Sequence, residues 1–177
     1  MRARTRLWIE RLVLGLDLCP FAAEPFRAGR VRMVVSDART PASLADALAE
    51  ELTLLDRTAT EVIETTLLVH PLALLDFEAY NDFLDVGDLL LEKLDLVGRI
   101  QIASFHPDYR FADAPADDVA NATNQSPYPM LHLLRESSVA RAVARHPDTS
   151  AIPARNAERL RALGWDEVVR LRGRPRA

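Results

Sequence analysis

Three short apolar runs, separated by two long stretches of helical periodicity, constrain this chain more than any other feature. Val31–Val35, Thr65–Val69 and residues 99–105 are rich in β-branched and aliphatic side chains. Each is followed at once by polar or turn-forming residues: Ser36-Asp37, His70-Pro71 and His106-Pro107. Such bounded runs read as strands. Between the first two, Leu44, Leu48, Leu52 and Leu55 recur at helical spacing behind Thr40-Pro41, a capping residue followed by a proline at its favoured first helical position. Between the second and third, a helix is predicted over residues 74–94, with Leu75, Phe83, Val86, Leu90 and Leu94 on its dry side. A β-α-β-α-β order predicts an α/β fold with a small three-stranded parallel sheet and right-handed crossovers.

The remaining segments are expected to cover that sheet. Residues 4–17 carry Leu7, Trp8, Leu12 and Leu14 at helical spacing, and Pro20 closes that N-terminal helix. Residues 20–30 read as a loop, and residues 107–125 as a long polar one. Ser126-Pro127 opens a segment predicted as helix to residue 145, with Pro129 tolerated in its first turn. A last helix is predicted over residues 153–163 and stopped by Gly164. Arg170, Arg172, Arg174 and Arg176 read as a frayed basic tail spanning 170–177. At 177 residues, the chain is long enough for one domain and short for two.

A net charge of −4 argues against a general nucleic-acid binder, which shows a basic surplus. No apolar run approaches the ~20 residues of a membrane span, and Glu10 and Arg11 interrupt the only stretch resembling a signal peptide. A cytoplasmic protein acting on a small-molecule substrate, with neither nucleic acid nor membrane as partner, is therefore expected. Its oligomeric state is left open. A single cysteine, Cys19, excludes an internal disulfide. No Gly-rich phosphate loop, HExxH helix, GxSxG elbow or paired CxxC is present.

In open parallel sheets, ligands bind beyond the carboxyl ends of the strands. That edge is expected to gather Asp37, His70, His106 and Asp108, together with the loop of residues 107–125. Imidazole and carboxylate suit a divalent metal ion or an acid/base pair. His70, His106, Asp37 and Asp108 are thus the candidate metal ligands. His106 and Asp108 are also candidate catalytic groups, with His132 placed on a helix four residues before Glu136. Asn124, Ser126 and Arg135 are candidate substrate-binding residues. The plainer reading makes the two His-Pro pairs strand-end caps. Cys19, in Leu-Cys-Pro-Phe, reads first as a buried, inert thiol and second as a nucleophile needing an imidazole within reach. Glu78, Asp82, Asp85, Asp88, Glu92 and Asp95 fall on one face of the helix at 74–94, which is ordinarily its wet side.

Several segments also resemble a known family. They are Leu18-Cys19-Pro20-Phe21-Ala22, Val34-Val35-Ser36-Asp37, Glu64-Thr65-Thr66-Leu67-Leu68-Val69, Tyr80-Asn81-Asp82-Phe83-Leu84, Ile102-Ala103-Ser104-Phe105-His106-Pro107-Asp108-Tyr109 and the run from Asn124 to Glu136. Together they resemble the bacterial family catalogued as domain of unknown function 1415, over nearly the whole chain. The resemblance implies a single-domain protein of bacterial type. It transfers no activity, cofactor or catalytic residue.

The leading expectation from the sequence is a small enzyme at the carboxyl edge of the sheet, performing metal-assisted hydrolysis. The alternatives are thiol chemistry at Cys19 and a non-catalytic interaction domain using the acidic face of the helix at 74–94.

Overall fold

A computed structural model of the chain describes residues 1–146 and 148–173. Strand β1 (Val31–Val35), helix α3 (Pro41–Arg57), strand β2 (Thr65–Val69), helix α4 (Phe77–Lys93) and strand β3 (Ile100–Phe105) follow one another as the periodicity predicts. Before them come α1 (Arg2–Trp8), a π-helical turn (Ile9–Leu14) and the short α2 (Ala23–Arg27), which lies inside the expected loop of residues 20–30. Thr40 caps α3 through Ser43 in a reciprocal capping box. Asp76 caps α4, its carboxylate accepting the Ala79 N–H at 2.9 Å, so that helix starts later than its apolar stripe suggests.

The sheet differs from expectation. It has four strands in the order β1-β2-β4-β3 and is mixed, not three-stranded and parallel. Strand β4 (Met130–Arg135) arises from the segment expected to be a helix over 126–145. It pairs antiparallel with β2 on one side and with β3 on the other. Both sets of its backbone groups are thus satisfied by neighbours far away in sequence, and tertiary pairing overrides local propensity. Helix α5 (Glu136–Ala144) then begins directly after Arg135. The chain goes on through α6 (Ile152–Leu163) to α7 (Trp165–Arg172), so the expected tail from residue 170 is, through Arg172, the last turn of a helix. Arg172 is 3% exposed and donates to the Gln125 side chain at 2.5 Å. Residues 174–177 lie outside the described residues. No helix among the described residues is long and apolar enough to cross a membrane.

Alternation along the strands sorts the side chains onto two faces. Leu68, Leu131, Leu133 and Ile100 point toward α3 and α4, joining Leu44, Leu48, Leu52, Tyr80 and Phe83 in one core. Gly87 lets α4 lie close to β3: a Cβ there would sit 3.0 Å from Ile102. Leu67, Val69, Met130 and Phe105 face the other way, toward Trp8, Leu12, Leu160 and Val168 in a second core.

Both crossover helices cover the same face. The path β1 to β2 to β3 advances across the sheet in one direction, with β4 slotted into the gap. There is no reversal of strand order, and hence no topological switch point to open a crevice at the carboxyl edge. The opposite face is left to the terminal segments, which cover it only in part.

Candidate functional site

The expected carboxyl-edge site does not assemble as a metal centre. Among the described residues no group of three or more His, Cys, Asp and Glu is placed to hold a metal ion. His70 and His106 are both fully buried. Nδ1 of His70 donates to the Ala73 carbonyl at 3.0 Å, while His106 accepts the Asp108 N–H at Nδ1 and donates from Nε2 to the Leu74 carbonyl at 3.2 Å. These two imidazoles hold the turn between β2 and α4, where Leu74 adopts a left-handed φ of 53° that side chains disfavour. Both rings also pack against Tyr80, whose hydroxyl accepts the Phe105 N–H and donates to the Met130 carbonyl, at 2.9 Å each. Asp37 is exposed at the end of β1, and the neighbouring Ser36 accepts the Ala38 N–H.

The expected substrate-binding residues are occupied in the same manner. Asn124 donates to the Ser104 carbonyl at 3.3 Å, and Ser126 to the Tyr128 carbonyl at 2.6 Å. The Arg135 guanidinium is spent on backbone carbonyls of Leu55 (2.5 Å), Ile63 (3.1 Å) and Thr58, which it ties together at the C-terminal end of α3. It clamps that helix end. The six carboxylates of the α4 stripe are exposed, as a wet helix face requires.

A different site lies over the partly covered face of the sheet. A partly enclosed cavity of about 410 Å³ sits there, at the end where β2 begins. Its floor is Thr65, Leu67, Ala103, His132 and Leu134, which the strand register brings side by side across β2, β4 and β3. Trp8, Ile9 and Val13 form one wall, the Cys19–Phe26 segment a second, and α5 a third through Ser138, Val139 and Ala142. Phe21 and His146 meet edge to face, centroids 5.4 Å apart, where the second and third walls approach. This volume and lining match those of small-molecule sites, which are mostly apolar with a few placed polar groups.

His132 is the polar group in that floor. As a strand residue it no longer shares a helix face with Glu136. Thr65 Oγ1 lies 2.7 Å from its Nε2 and 2.6 Å from the Leu133 carbonyl. A carbonyl only accepts, so the one hydroxyl proton goes to Leu133. Nε2 must therefore carry a proton and donate it to Thr65. This fixes the tautomer and leaves Nδ1 as an unprotonated acceptor, with no hydrogen-bond partner among the described residues. Burial holds the imidazole neutral, lowering its pKa to about 4. The ring is nevertheless only half-buried, its accessible part belonging to the cavity it lines.

Two further groups line the same space. Trp8 is 2% exposed, and its indole N–H has no hydrogen-bond partner. Cys19 is half-buried, and desolvation raises its thiol pKa despite the Phe21 and Ala22 N–H groups facing it. The lining carboxylates Glu24 and Glu64 both hold Arg30, at 2.5 Å and 2.8 Å, while the lining Arg141 stands 3.9 Å from Glu64. The sequence nominated His132 and Cys19 but missed Trp8 and Thr65. The available signal was the alternation Leu131-His132-Leu133, which puts a polar residue opposite the buried face of a strand.

A family model described as a protein of unknown function (DUF1415) matches residues 1–170. The chain belongs to that family. The match runs from α1 into α7 and so takes in the sheet, its partly covered face and every wall of the cavity. No curated protein and no solved structure matches the chain.

Proposed function

We propose that this protein binds a small, predominantly apolar molecule in the cavity over the partly covered face of its sheet. One observation carries the reading: an apolar cavity of about 410 Å³ has in its floor an imidazole whose tautomer is fixed by Thr65 and whose Nδ1 is unpartnered. Small-molecule sites pair an apolar lining with a few polar groups open to the ligand, and this cavity has that combination.

Binding is favoured over catalysis by the chemistry of the groups present. An imidazole that protonates only near pH 4 offers a hydrogen-bond acceptor at neutral pH and little driving force as a general base. The groups acting on Cys19 are its own burial, two backbone N–H groups and Asp17, with no imidazole among them to draw off its proton. Metal-assisted hydrolysis at the carboxyl edge has no group of three or more His, Cys, Asp and Glu among the described residues to hold the ion.

Calorimetric titration with ethylbenzene tests the reading. Saturable single-site binding is expected for the wild-type protein and is lost in Ala103→Phe, which fills the floor, and in Val139→Phe, which fills the α5 wall. Circular dichroism identifies which of the two variants remains folded. No saturable heat with the wild-type protein, or undiminished binding in a folded variant, overturns it.

A further inference from the structure

The polar group open on the cavity selects the chemistry of its ligand. His132 presents an acceptor, since Nε2 carries the proton and Nδ1 does not. An acceptor left open on an apolar space calls for a donor carried on an apolar body. A hydroxyl supplies that donor, a hydrocarbon does not, and a carboxylate only accepts.

Charge argues the same way. A carboxylate in the floor would face the lone pair of Nδ1 and would lose its hydration without a cation to replace it. The guanidinium of Arg30, behind the lining Glu24 and Glu64, is already held by those two carboxylates, and Arg135 is bound to backbone carbonyls. Arg141 and Arg145 line the outer rim and are exposed, so an anion recognised here would be met at the rim and not in the floor.

Resting on the cavity reading above, we propose that the ligand is an uncharged apolar alcohol or phenol, its hydroxyl donating to Nδ1 of His132 and its body filling the space between the sheet and α5.

Three probes of matched body separate this from its rivals: 4-ethylphenol, ethylbenzene and 4-ethylbenzoate, titrated calorimetrically into the wild-type protein at neutral pH. The phenol is expected to bind about five- to tenfold more tightly than ethylbenzene, the gain from one net hydrogen bond. The benzoate is expected to bind more weakly than ethylbenzene. In His132→Leu the advantage of the phenol over ethylbenzene disappears while ethylbenzene binding persists. The wild-type comparison stands by itself if that variant fails to fold. Equal binding of phenol and ethylbenzene overturns the hydroxyl assignment and leaves the cavity as a site. Tightest binding by the benzoate overturns it in favour of anion recognition at the rim. Binding of none of the three removes the cavity reading itself, and this inference with it.

Discussion

Lowering the pH from 7 to 4 should destabilise this fold through two imidazoles. His70 is fully buried at the end of β2, and His132 sits in the cavity floor. Burial lowers the pKa of each from 6.5 to about 4. Both are therefore neutral when folded, while an unfolded chain protonates them below about pH 6.5. Between those values the unfolded state binds more protons, so stability is complete above pH 6.5 and falls as the pH drops toward 4. At ~1.4 kcal/mol per pH unit, each group removes about 3 kcal/mol by pH 4, with His132 contributing less because its ring opens on the cavity. That is a large part of the ~5–15 kcal/mol typical of a domain. Urea unfolding at intervals from pH 4 to pH 7 measures it. His70→Asn keeps the donor to Ala73 and His132→Gln the donor to Thr65, and neither replacement titrates. Each substitution should flatten the slope of stability against pH by up to one proton. Carboxylates that titrate near pH 4 contribute to wild type and variant alike and cancel in the comparison. Slopes unchanged in both variants would refute the claim that these rings are held neutral by burial.

Other consequences can be measured on the same protein. Arg135→Ala removes the donors that satisfy the carbonyls of Leu55, Thr58 and Ile63 and should cost about 2–4 kcal/mol, with Arg135→Lys recovering only part. A denaturant midpoint equal to wild type would show that the clamp contributes nothing. Cys19 should react with a thiol reagent at pH 7 much more slowly in the folded protein than in urea, and more slowly still with ethylbenzene bound, because burial raises its pKa and it lines the cavity. Rapid stoichiometric labelling of the folded protein would contradict that placement.

The strands and helices that sequence made legible are those whose periodicity is bounded by punctuation. Thr40-Pro41 marks the start of α3, and His70-Pro71 and His106-Pro107 mark strand ends, so β1, α3, β2, α4 and β3 fall close to where their residues put them. Strand β4 was hidden because Arg135 passes into Glu136 with no Gly, Pro or turn residue between strand and helix. Leu131, Leu133 and Leu134 fit a helical stripe as well as a strand. What decides between them is pairing on both edges, a long-range property.

That one difference changes the setting of every candidate histidine. Without β4, the histidines after β2 and β3 look like an open ligand-binding edge. With it, their rings are buried against Tyr80 and bonded to the β2–α4 turn, or to the Asp108 N–H that follows β3. His132 was legible as a candidate from its type and place in the chain, but its chemistry was not. Its tautomer follows from Thr65, 67 residues earlier, and its setting from α1, the Cys19–Phe26 segment and α5 closing around one face of the sheet. Arg172 shows the same limit in another form. Four alternating arginines near a terminus look like a solvated tail, yet the helix holding Arg172 brings it onto Gln125 in the second core's neighbourhood.

The most direct test of the central claim is methyl-resolved NMR of the wild-type protein titrated with ethylbenzene. Saturable shifts are expected at Leu67, Ala103, Leu134 and Val139, which line the cavity, and none at Leu44, Leu48 or Leu52 in the core on the other face. Absence of shifts at the cavity methyls, or shifts confined to the opposite core, would contradict it.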